Sequence, residues 1–386
     1  MRIIFYVLVT GISAAVTFGF AYFILKLSLR YRLYPKVRAR DVHTRPTPRL
    51  GGIAMFLGMI VAFLVASQLP SMSLIFSEPL KVWGLFIAAT IIVAIGVADD
   101  VWDLDWMTKL AGQIIAGGVL AWSGIQIYTL PIFGGVTVLS PTMSLVLTVL
   151  AVVLVMNAVN FIDGLDGLVA GVALIANGVF FIYSYILATN TNQSEYYNLA
   201  SLITAVLIGA CLGFLPLNFY PAKLFMGDAG ALLVGLLMAA SAISVTGSVD
   251  PQSLGGRQLL PAFIPILLPA AVLTLPLLDF ALAVVRRLLA GKSPFAADRK
   301  HLHHRLMDMG HSHLQSVLVF YSWTALVAVG CLSFLFLPWY GSTIFLAVGL
   351  VVCVFVTLGP LRRRTPFRRE AKAVVDAAQK TKGLPL

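Results

Sequence analysis

Long apolar runs recur from one end of the chain to the other, and they limit its fold more than any other feature. A run of about 17 or more apolar residues is long enough to cross a lipid bilayer as an α-helix. The sequence predicts eleven such helices, or ten if the runs that flank the short turn at Pro338–Gly341 are not separate spans. They occupy residues 3–25, 51–68, 82–98, 108–124, 143–160, 168–188, 199–215, 229–246, 259–283, 316–337 and 341–359.

Composition agrees with an all-α polytopic membrane protein. Hydrophobic residues make up 59% of the chain and charged residues 11%, whereas soluble domains contain about 25% charged residues. The first run, Ile3–Leu25, is too long for a cleaved signal peptide and is predicted to be a retained span. The three cysteines lie in apolar runs and are predicted to be free thiols. The stretch Ile125–Val138 predicts a small external β-hairpin that turns at Gly134–Gly135.

Lysine and arginine lie almost entirely on one side of the predicted spans. Of the 27 basic residues, 24 lie in the connections 26–50, 99–109, 216–228 and 286–315 and in the tail 360–386. Cytoplasmic loops are enriched in basic residues, so this side is predicted to be cytoplasmic, with the C-terminus inside and the N-terminus outside. The prediction is a multi-pass protein of the inner (plasma) membrane. A single catalytic domain covers residues 1–360, and a basic cytoplasmic tail covers residues 361–386.

Three short connections on the same side are acidic, although membrane proteins favour basic residues there. The loop over residues 157–167 reads NAVNFIDGLDG, span 3 ends in two adjacent aspartates, and a further aspartate begins span 8. These acids are Asp99, Asp100, Asp163, Asp166 and Asp228. A carboxylate at the end of a membrane helix is costly unless it meets water, a cation or a partner. The three loops therefore predict a metal or phosphate site at the membrane surface, in which adjacent carboxylates can also supply a general base.

Other polar residues on this side are candidates for holding a nucleotide. Arg45 and Arg49 lie among prolines in the first loop and are suited to phosphate oxygens, unless they are ordinary flanking charges. Asn218 and Phe225 offer an amide and an aromatic ring to a nucleobase. The alternative for the ring is anchoring at the membrane interface.

A histidine motif, HLHH, lies in the longest connection and places His301, His303 and His304 on a short helix. Histidine clusters bind zinc, but no cysteine accompanies this one. Arg299 and Arg305 add positive charge around it, which disfavours a second cation and favours a polyphosphate. The remaining alternative is that the histidines cap a helix or lie on the surface without a role in binding.

Five motifs together resemble those of the polyprenyl-phosphate N-acetylhexosamine-1-phosphate transferase family. In chain order they are HTRPTPRLGG, ADDVWDLDW, NAVNFIDGLDGL, FLPLNFYPAKLFMGDAG and GKSPFAADRKHLHH, across roughly residues 40–310. The resemblance is greater to the bacterial branch that uses UDP-N-acetylglucosamine (UDP-GlcNAc). It implies that undecaprenyl or decaprenyl phosphate attacks the β-phosphorus of UDP-GlcNAc, with Mg²⁺ (Mn²⁺ as the alternative ion), to give polyprenyl-diphospho-GlcNAc and UMP. Such a reaction is the first membrane step of a cell-envelope glycan pathway.

The resemblance also implies a role for each matching residue of this chain. The catalytic positions are Asp99, Asp100, Asp163, His301, His303 and His304. The substrate-binding positions are Arg45, Asn160, Asp166, Asn218, Phe225, Arg299 and Arg305. The metal positions are Asp228, Asp163 and Asp100. Within these sets, one of the adjacent aspartates is the proposed base, the pair Asn218 and Phe225 contacts uridine, and the histidines contact the diphosphate.

Two other functions remain as alternatives. The related branch that transfers phospho-MurNAc-pentapeptide carries three consecutive histidines, so HLHH favours the GlcNAc branch. A transporter would place ionisable groups near the bilayer midplane and often contains inverted repeats, whereas these spans are nearly free of charge. The reaction route is also open between direct displacement, which the dianionic lipid phosphate favours, and a covalent aspartyl intermediate. Nothing in the sequence indicates a nucleic-acid partner, and a homodimer is compatible with the chain.

Overall fold

Helices form most of the part of the chain that the structure, a computed structural model, describes: residues 2–31, 47–132, 135–190, 194–246, 274–289, 291 and 302–359. In chain order they are α1 (Arg2–Tyr31), α2 (Gly51–Ser67), α3 (Pro79–Trp102), α4 (Trp106–Trp122), α5 (Pro141–Ile162), α6 (Leu168–Asn190), α7 (Ser194–Asn218), α8 (Gly227–Thr246), α9 (Thr274–Leu289), α10 (Leu302–Met309), α11 (His313–Ser333) and α12 (Trp339–Gly359). A 3₁₀ helix (Pro70–Phe76) follows α2, and the strands β1 (Thr129–Ile132) and β2 (Gly135–Val138) follow α4.

The all-α polytopic architecture is confirmed. Eight helices in the described residues are long and apolar enough to cross a membrane, and α2 makes a ninth if it is counted together with the 3₁₀ helix, from which it is bent by 112°. Two of the eleven predicted spans are not among these. One of them, 108–124, is the 17-residue helix α4, and most of the other, 259–283, lies outside the described residues. The count of eleven therefore stays a prediction.

The β-hairpin is confirmed as a two-stranded antiparallel sheet, and its external position stays a prediction. Strands β1 and β2 are antiparallel and pair Thr129 with Val138 and Ile132 with Gly135. The sequence placed Gly135 in the turn, but the structure places it in the second strand. The three cysteines are free thiols, as predicted.

Helix α8 lies at the centre of the bundle, where it packs against α3, α5, α7 and α2. In its most apolar 18-residue stretch, 83% of the residues are buried. Helices in membranes approach closely where small residues line the contact. A side chain at Gly52 of α2 would overlap the backbone of Gly230, and one at Gly96 of α3 would overlap the backbone of Ala229. These contacts hold the first turn of α8, with Asp228, between two neighbouring helices.

The corner between α3 and α4 is built by two aspartates. Asp103 ends α3 in the left-handed conformation (φ 58°), and Asp105 is the N-cap of α4, where it accepts hydrogen bonds from the N–H (3.0 Å) and hydroxyl (2.6 Å) of Thr108. These bonds hold the pKa of Asp105 below its ordinary value. Both acids are exposed. The corner brings Lys109, which follows Thr108, back toward the end of α3.

Candidate active site

The C-terminal ends of α3 and α5 and the N-terminal end of α8 meet at one end of the bundle. Asp99 and Asp228 lie side by side there, and the Lys109 ammonium donates to Oδ2 of both, at 3.1 Å and 3.3 Å. Asp163, in the loop after α5, is close enough to Asp228 for their charges to interact. The structure therefore brings the three acidic connections together, as the sequence predicted. We call Asp99, Asp100, Asp163, Asp228 and Lys109 the acidic cluster.

Lys109 is a member that the sequence motifs did not single out. It lies near the start of α4, where a positive charge is opposed by the helix dipole. A half-buried lysine at such a position requires carboxylates close by, and Asp99 and Asp228 provide them. The position of Lys109 near the start of a helix is the sequence feature that could have indicated its role in the site.

Arg287 is a second residue that the motifs missed. It is buried in the last turn of α9, and its guanidinium lies over the ring of Phe161 at 5.7 Å from the ring centroid. Phe161 is the residue directly after Asn160 in the chain. In the sequence, Arg287 looks like one more basic residue at the end of a span, so only the packing of α9 on α5 shows its proximity to the site.

Asp100 binds the start of α8. Its carboxylate accepts hydrogen bonds from the N–H groups of Asp228 (3.1 Å) and Ala229 (3.4 Å), which is the action of a helix cap supplied by another helix. The left-handed Gly227 (φ 71°) allows this contact, because a side chain there would overlap Asp100 and the Arg49 carbonyl. Asp100 thereby fixes α8 relative to α3, while its roles as base and metal ligand stay predictions.

Asp163 is half-buried directly after α5. Burial, aided by the negative charge of Asp228 and opposed by Arg49, raises the pKa of its carboxyl to about 7. A carboxyl with this pKa is able to accept or release a proton near neutral pH, as a general base must. A bound cation would instead favour the ionised form.

The donor set suits a divalent cation. Asp99 Oδ1 is buried and has no hydrogen-bond partner among the described residues, and such an oxygen is costly unless a proton or a cation satisfies it. The amide nitrogen of Asn160 faces Asp228 without a well-directed hydrogen bond. Carboxylate oxygens such as those of the acidic cluster are the ligands that Mg²⁺ prefers. No three acidic, histidine or cysteine side chains converge at metal-ligand distances in the described residues, so the ligand set stays a prediction.

Asp166 lies in a tightly held loop beside the cluster. It is buried, its Oδ2 accepts the N–H of Ala222 at 2.9 Å, and its own N–H donates to Nε2 of His313 at 2.9 Å. The sequence assigned this aspartate to substrate binding, and the structure places it in the α5–α6 loop, where its carboxylate is bonded to the loop after α7.

Asn218 is also buried and is bonded to backbone on both sides. Its Oδ1 accepts from the N–H of Gly167 and its Nδ2 donates to the carbonyl of Leu224, both at 3.1 Å. Both ends of the amide thus join the α5–α6 loop to the loop before α8. Contact with uridine stays a prediction for Asn218.

Phe225 connects the first and fourth motifs through its backbone. Its N–H donates to the Pro48 carbonyl (2.8 Å), and its carbonyl accepts from the Gly51 N–H (3.0 Å). The ring is partly exposed, and its contact with uridine stays a prediction.

The remaining predicted residues are described only in part. Arg45, Arg299 and His301 lie outside the described residues. His303 and His304 are in α10, and their side chains are outside the description. Arg305, one residue later in the same helix, is exposed.

The chain matches known proteins over most of its length. Residues 82–246 match the family model described as Glycosyl transferase family 4. The decaprenyl-phosphate N-acetylglucosaminephosphotransferase of Mycolicibacterium smegmatis is 41% identical over 360 residues, which cover 92% of this chain and 89% of the relative. The chain belongs to glycosyl transferase family 4. This membership confirms the resemblance that the five motifs indicated.

Two further relatives, whose names also specify N-acetylglucosamine, differ in their sequence identity to this chain. The decaprenyl-phosphate N-acetylglucosaminephosphotransferase of Mycobacterium tuberculosis is 42% identical over 86% of this chain and 82% of its own length. A Bacillus subtilis relative, named a probable undecaprenyl-phosphate N-acetylglucosaminyl 1-phosphate transferase, is 30% identical over 73% of this chain and 72% of its own length. The model for glycosyl transferase family 4 covers α3–α8, and so includes every member of the acidic cluster.

Proposed function

We propose that this protein transfers GlcNAc-1-phosphate from UDP-GlcNAc to a polyprenyl phosphate, giving polyprenyl-diphospho-GlcNAc and UMP. The observation that carries the proposal is the convergence of Asp99, Asp163 and Asp228 with Lys109 at one end of a membrane-spanning bundle. Lipid and nucleotide substrates meet at such a boundary between bilayer and water. Three relatives whose names specify N-acetylglucosamine and a polyprenyl phosphate support the choice of sugar and acceptor.

The reaction needs two anionic phosphates to approach each other. The second pKa of a phosphate monoester is about 6, so the lipid phosphate is largely dianionic near neutrality and is itself the nucleophile. Its oxygen forms a bond to the β-phosphorus while the bond between that phosphorus and the UMP oxygen breaks. Lys109 and Arg49 offset the negative charge where the phosphates meet. Asp99 and Asp163 orient the acceptor or take up its residual proton. Because the lipid phosphate is already a competent nucleophile, direct displacement is favoured over a covalent aspartyl intermediate.

Mg²⁺, or Mn²⁺, would be held by oxygens of Asp163 and Asp228. Asp99 would be the third ligand in place of the predicted Asp100, whose carboxylate accepts the N–H groups of Asp228 and Ala229. When bound, the ion would polarise phosphoryl oxygens and neutralise part of their charge. Lys109 already bridges Oδ2 of Asp99 and Asp228. The lysine therefore keeps these carboxylates together and leaves Oδ1 of Asp99 for another partner.

The acidic cluster is proposed to face the cytoplasm of a bacterial inner membrane, with the N-terminus outside and the basic tail inside. The concentration of lysine and arginine on this side supports that orientation. A C-terminal tag should then be accessible to protease in inverted vesicles and protected in sealed cells. The opposite accessibility would overturn the orientation.

The enzymatic proposal is tested with the detergent-purified protein, UDP-GlcNAc and undecaprenyl phosphate, by measuring UMP release and the lipid product. Activity should require the lipid and should disappear when EDTA removes divalent cations, returning on addition of Mg²⁺. UDP-MurNAc-pentapeptide serves as the competing donor. Failure to turn over UDP-GlcNAc with undecaprenyl or decaprenyl phosphate would refute the proposal, and stoichiometric UMP release without lipid would refute direct displacement.

A further inference from the structure

His313, the first residue of α11, connects two loops of the site and belongs to none of the five motifs. Its Nε2 accepts the N–H of Asp166 at 2.9 Å. Its ring stacks on that of Tyr220, with centroids 4.8 Å apart and an interplanar angle of 29°. Residues 147 positions apart in the chain are thus joined beside the acidic cluster.

The start of α11 is itself well fixed. Ser312 is the N-cap, and it forms a capping box with Gln315, in which each side chain accepts the other residue's backbone N–H (3.2 Å and 2.9 Å). A capping box defines where the helix begins and the direction in which its first side chains project. His313 is therefore held on a rigid support.

The α5–α6 loop, residues 163–167, depends on partners outside itself. Asp163 and Gly164 donate to nearby carbonyls of α5, but the N–H of Asp166 has its partner on α11. A buried N–H without a hydrogen-bond partner destabilises the folded state, and Asp166 is buried. The loop conformation that presents Asp163 to Asp228 therefore relies on this contact.

A second residue of α11 holds the same loop. The hydroxyl of Tyr321, eight positions after His313, donates to the Gly167 carbonyl. Residues at this spacing lie on one face of a helix. The loop is therefore attached to α11 at two neighbouring residues, Asp166 and Gly167, while Asn218 and Ala222 hold it from the other side.

We propose that His313 is a positioning residue for phosphosugar transfer, a role that rests on the proposed function. Its Nε2 holds the Asp166 backbone and its ring holds Tyr220, so that the 163–167 loop and the loop after α7 keep a fixed separation. Asp163 and Asp166 are thereby presented to the substrate in one geometry. A misplacement of about 1 Å in a site of this kind lowers the rate by on the order of 10²-fold.

Two substitutions separate the two contacts of His313. His313→Phe keeps an aromatic ring for Tyr220 and has no acceptor for the Asp166 N–H. His313→Gln places an amide oxygen near the position of Nε2 and has no ring. We expect His313→Phe to lower kcat by about 10- to 100-fold with a smaller change in KM for UDP-GlcNAc, and His313→Gln to recover most of that loss.

His311→Phe is the matched control. Its Nε2 is bonded to the Thr357 carbonyl of α12 at 2.8 Å, so the change removes a histidine contact of the same helix corner without touching either loop. We expect its kcat to stay within about twofold of wild type when variants are compared at equal folded fraction, as judged by thermal unfolding. Equal losses of kcat in His311→Phe and His313→Phe would overturn the proposal, as would full activity in His313→Phe.

Hydrogen exchange gives a readout that does not depend on turnover. In the detergent-solubilised full chain, peptides covering residues 163–167 should exchange faster in His313→Phe than in wild type, in His313→Gln or in His311→Phe. Unchanged exchange in His313→Phe would refute the contact. Absence of wild-type turnover would refute the proposed function instead, and the exchange result would still decide whether His313 holds the loop.

Discussion

Helices α8 and α12 are both apolar, yet they occupy opposite environments. Their mean hydropathies are 1.8 and 2.4, but 83% of the residues in the most apolar stretch of α8 are buried and only 11% of those in α12. Helix α8 is rich in glycine, alanine and serine, which permit close packing, whereas α12 presents valine, leucine and phenylalanine at its surface. Hydropathy thus identifies a span, and the size of its side chains indicates whether it meets protein or lipid.

Helices α8 and α12 also differ in whether they carry a charged residue. The packed helix carries an aspartate at its first turn, held by Asp100, Lys109 and the backbones of α2 and α3. Helix α12 contains no charged residue and is joined to α11 through Thr357. Substitutions in α8 should therefore affect activity and stability strongly, and those on the exposed face of α12 should have little effect on either.

The largest effect is expected for Asp228→Asn. It removes the charge that Lys109 and the neighbouring carboxylates are arranged around, so we expect kcat to fall by on the order of 10³-fold. UMP release measures the loss. Thermal unfolding should show that the protein remains folded, and near-normal kcat would contradict the assigned site.

Lys109→Gln should follow, with a fall of about 10²-fold in kcat. The amide keeps a donor for Asp99 or Asp228 but removes the positive charge, leaving two adjacent carboxylates to repel each other. Lys109→Arg keeps the charge and should retain more activity. If Gln and Arg variants lose the same amount, charge is not what Lys109 supplies.

Leu236→Ala and Leu350→Ala compare the same change in the two helices. Leu236 is fully buried in α8 and Leu350 is 50% exposed in α12. The buried change leaves a cavity and should lower the free energy of unfolding by about 2 kcal/mol or more, measured by denaturation in detergent. The exposed change should have an effect within about 0.5 kcal/mol, and equal losses would contradict the distinction between the helices.

Gly235→Ala and Gly359→Ala test close packing with a single methyl group. A Cβ at Gly235 would lie 2.7 Å from Cα of Met156 in α5, while no atom of the described residues lies within 4 Å of one at Gly359. We expect the first change to lower the free energy of unfolding by about 1 kcal/mol and the second to leave it unchanged or slightly raised. A lower melting midpoint for Gly359→Ala alone would reverse the comparison.

Much of the site could be predicted from the sequence because membrane helices restrict where charge is tolerated. Aspartates 99, 163 and 228 stand out against apolar runs, and their shared side follows from the order of spans. The family resemblance followed from the same motifs. Lys109 and Arg287 were missed since a basic residue beside a span is expected on the cytoplasmic side whether or not it has a partner.

The helical membrane fold, the β-hairpin, the family and the acids at one end of the bundle were all predictable from the sequence. These follow from local length, hydropathy and charge. The packing of the helices was needed to show that α8 is central, that Asp100 caps it, and that Lys109 and His313 reach their partners. The bonds between Lys109 and Asp228, Asp228 and Asp100, and Asp166 and His313 join residues 119 to 147 positions apart. They depend on which helices pack together, and similar apolar surfaces leave that choice undetermined until side-chain shapes are matched.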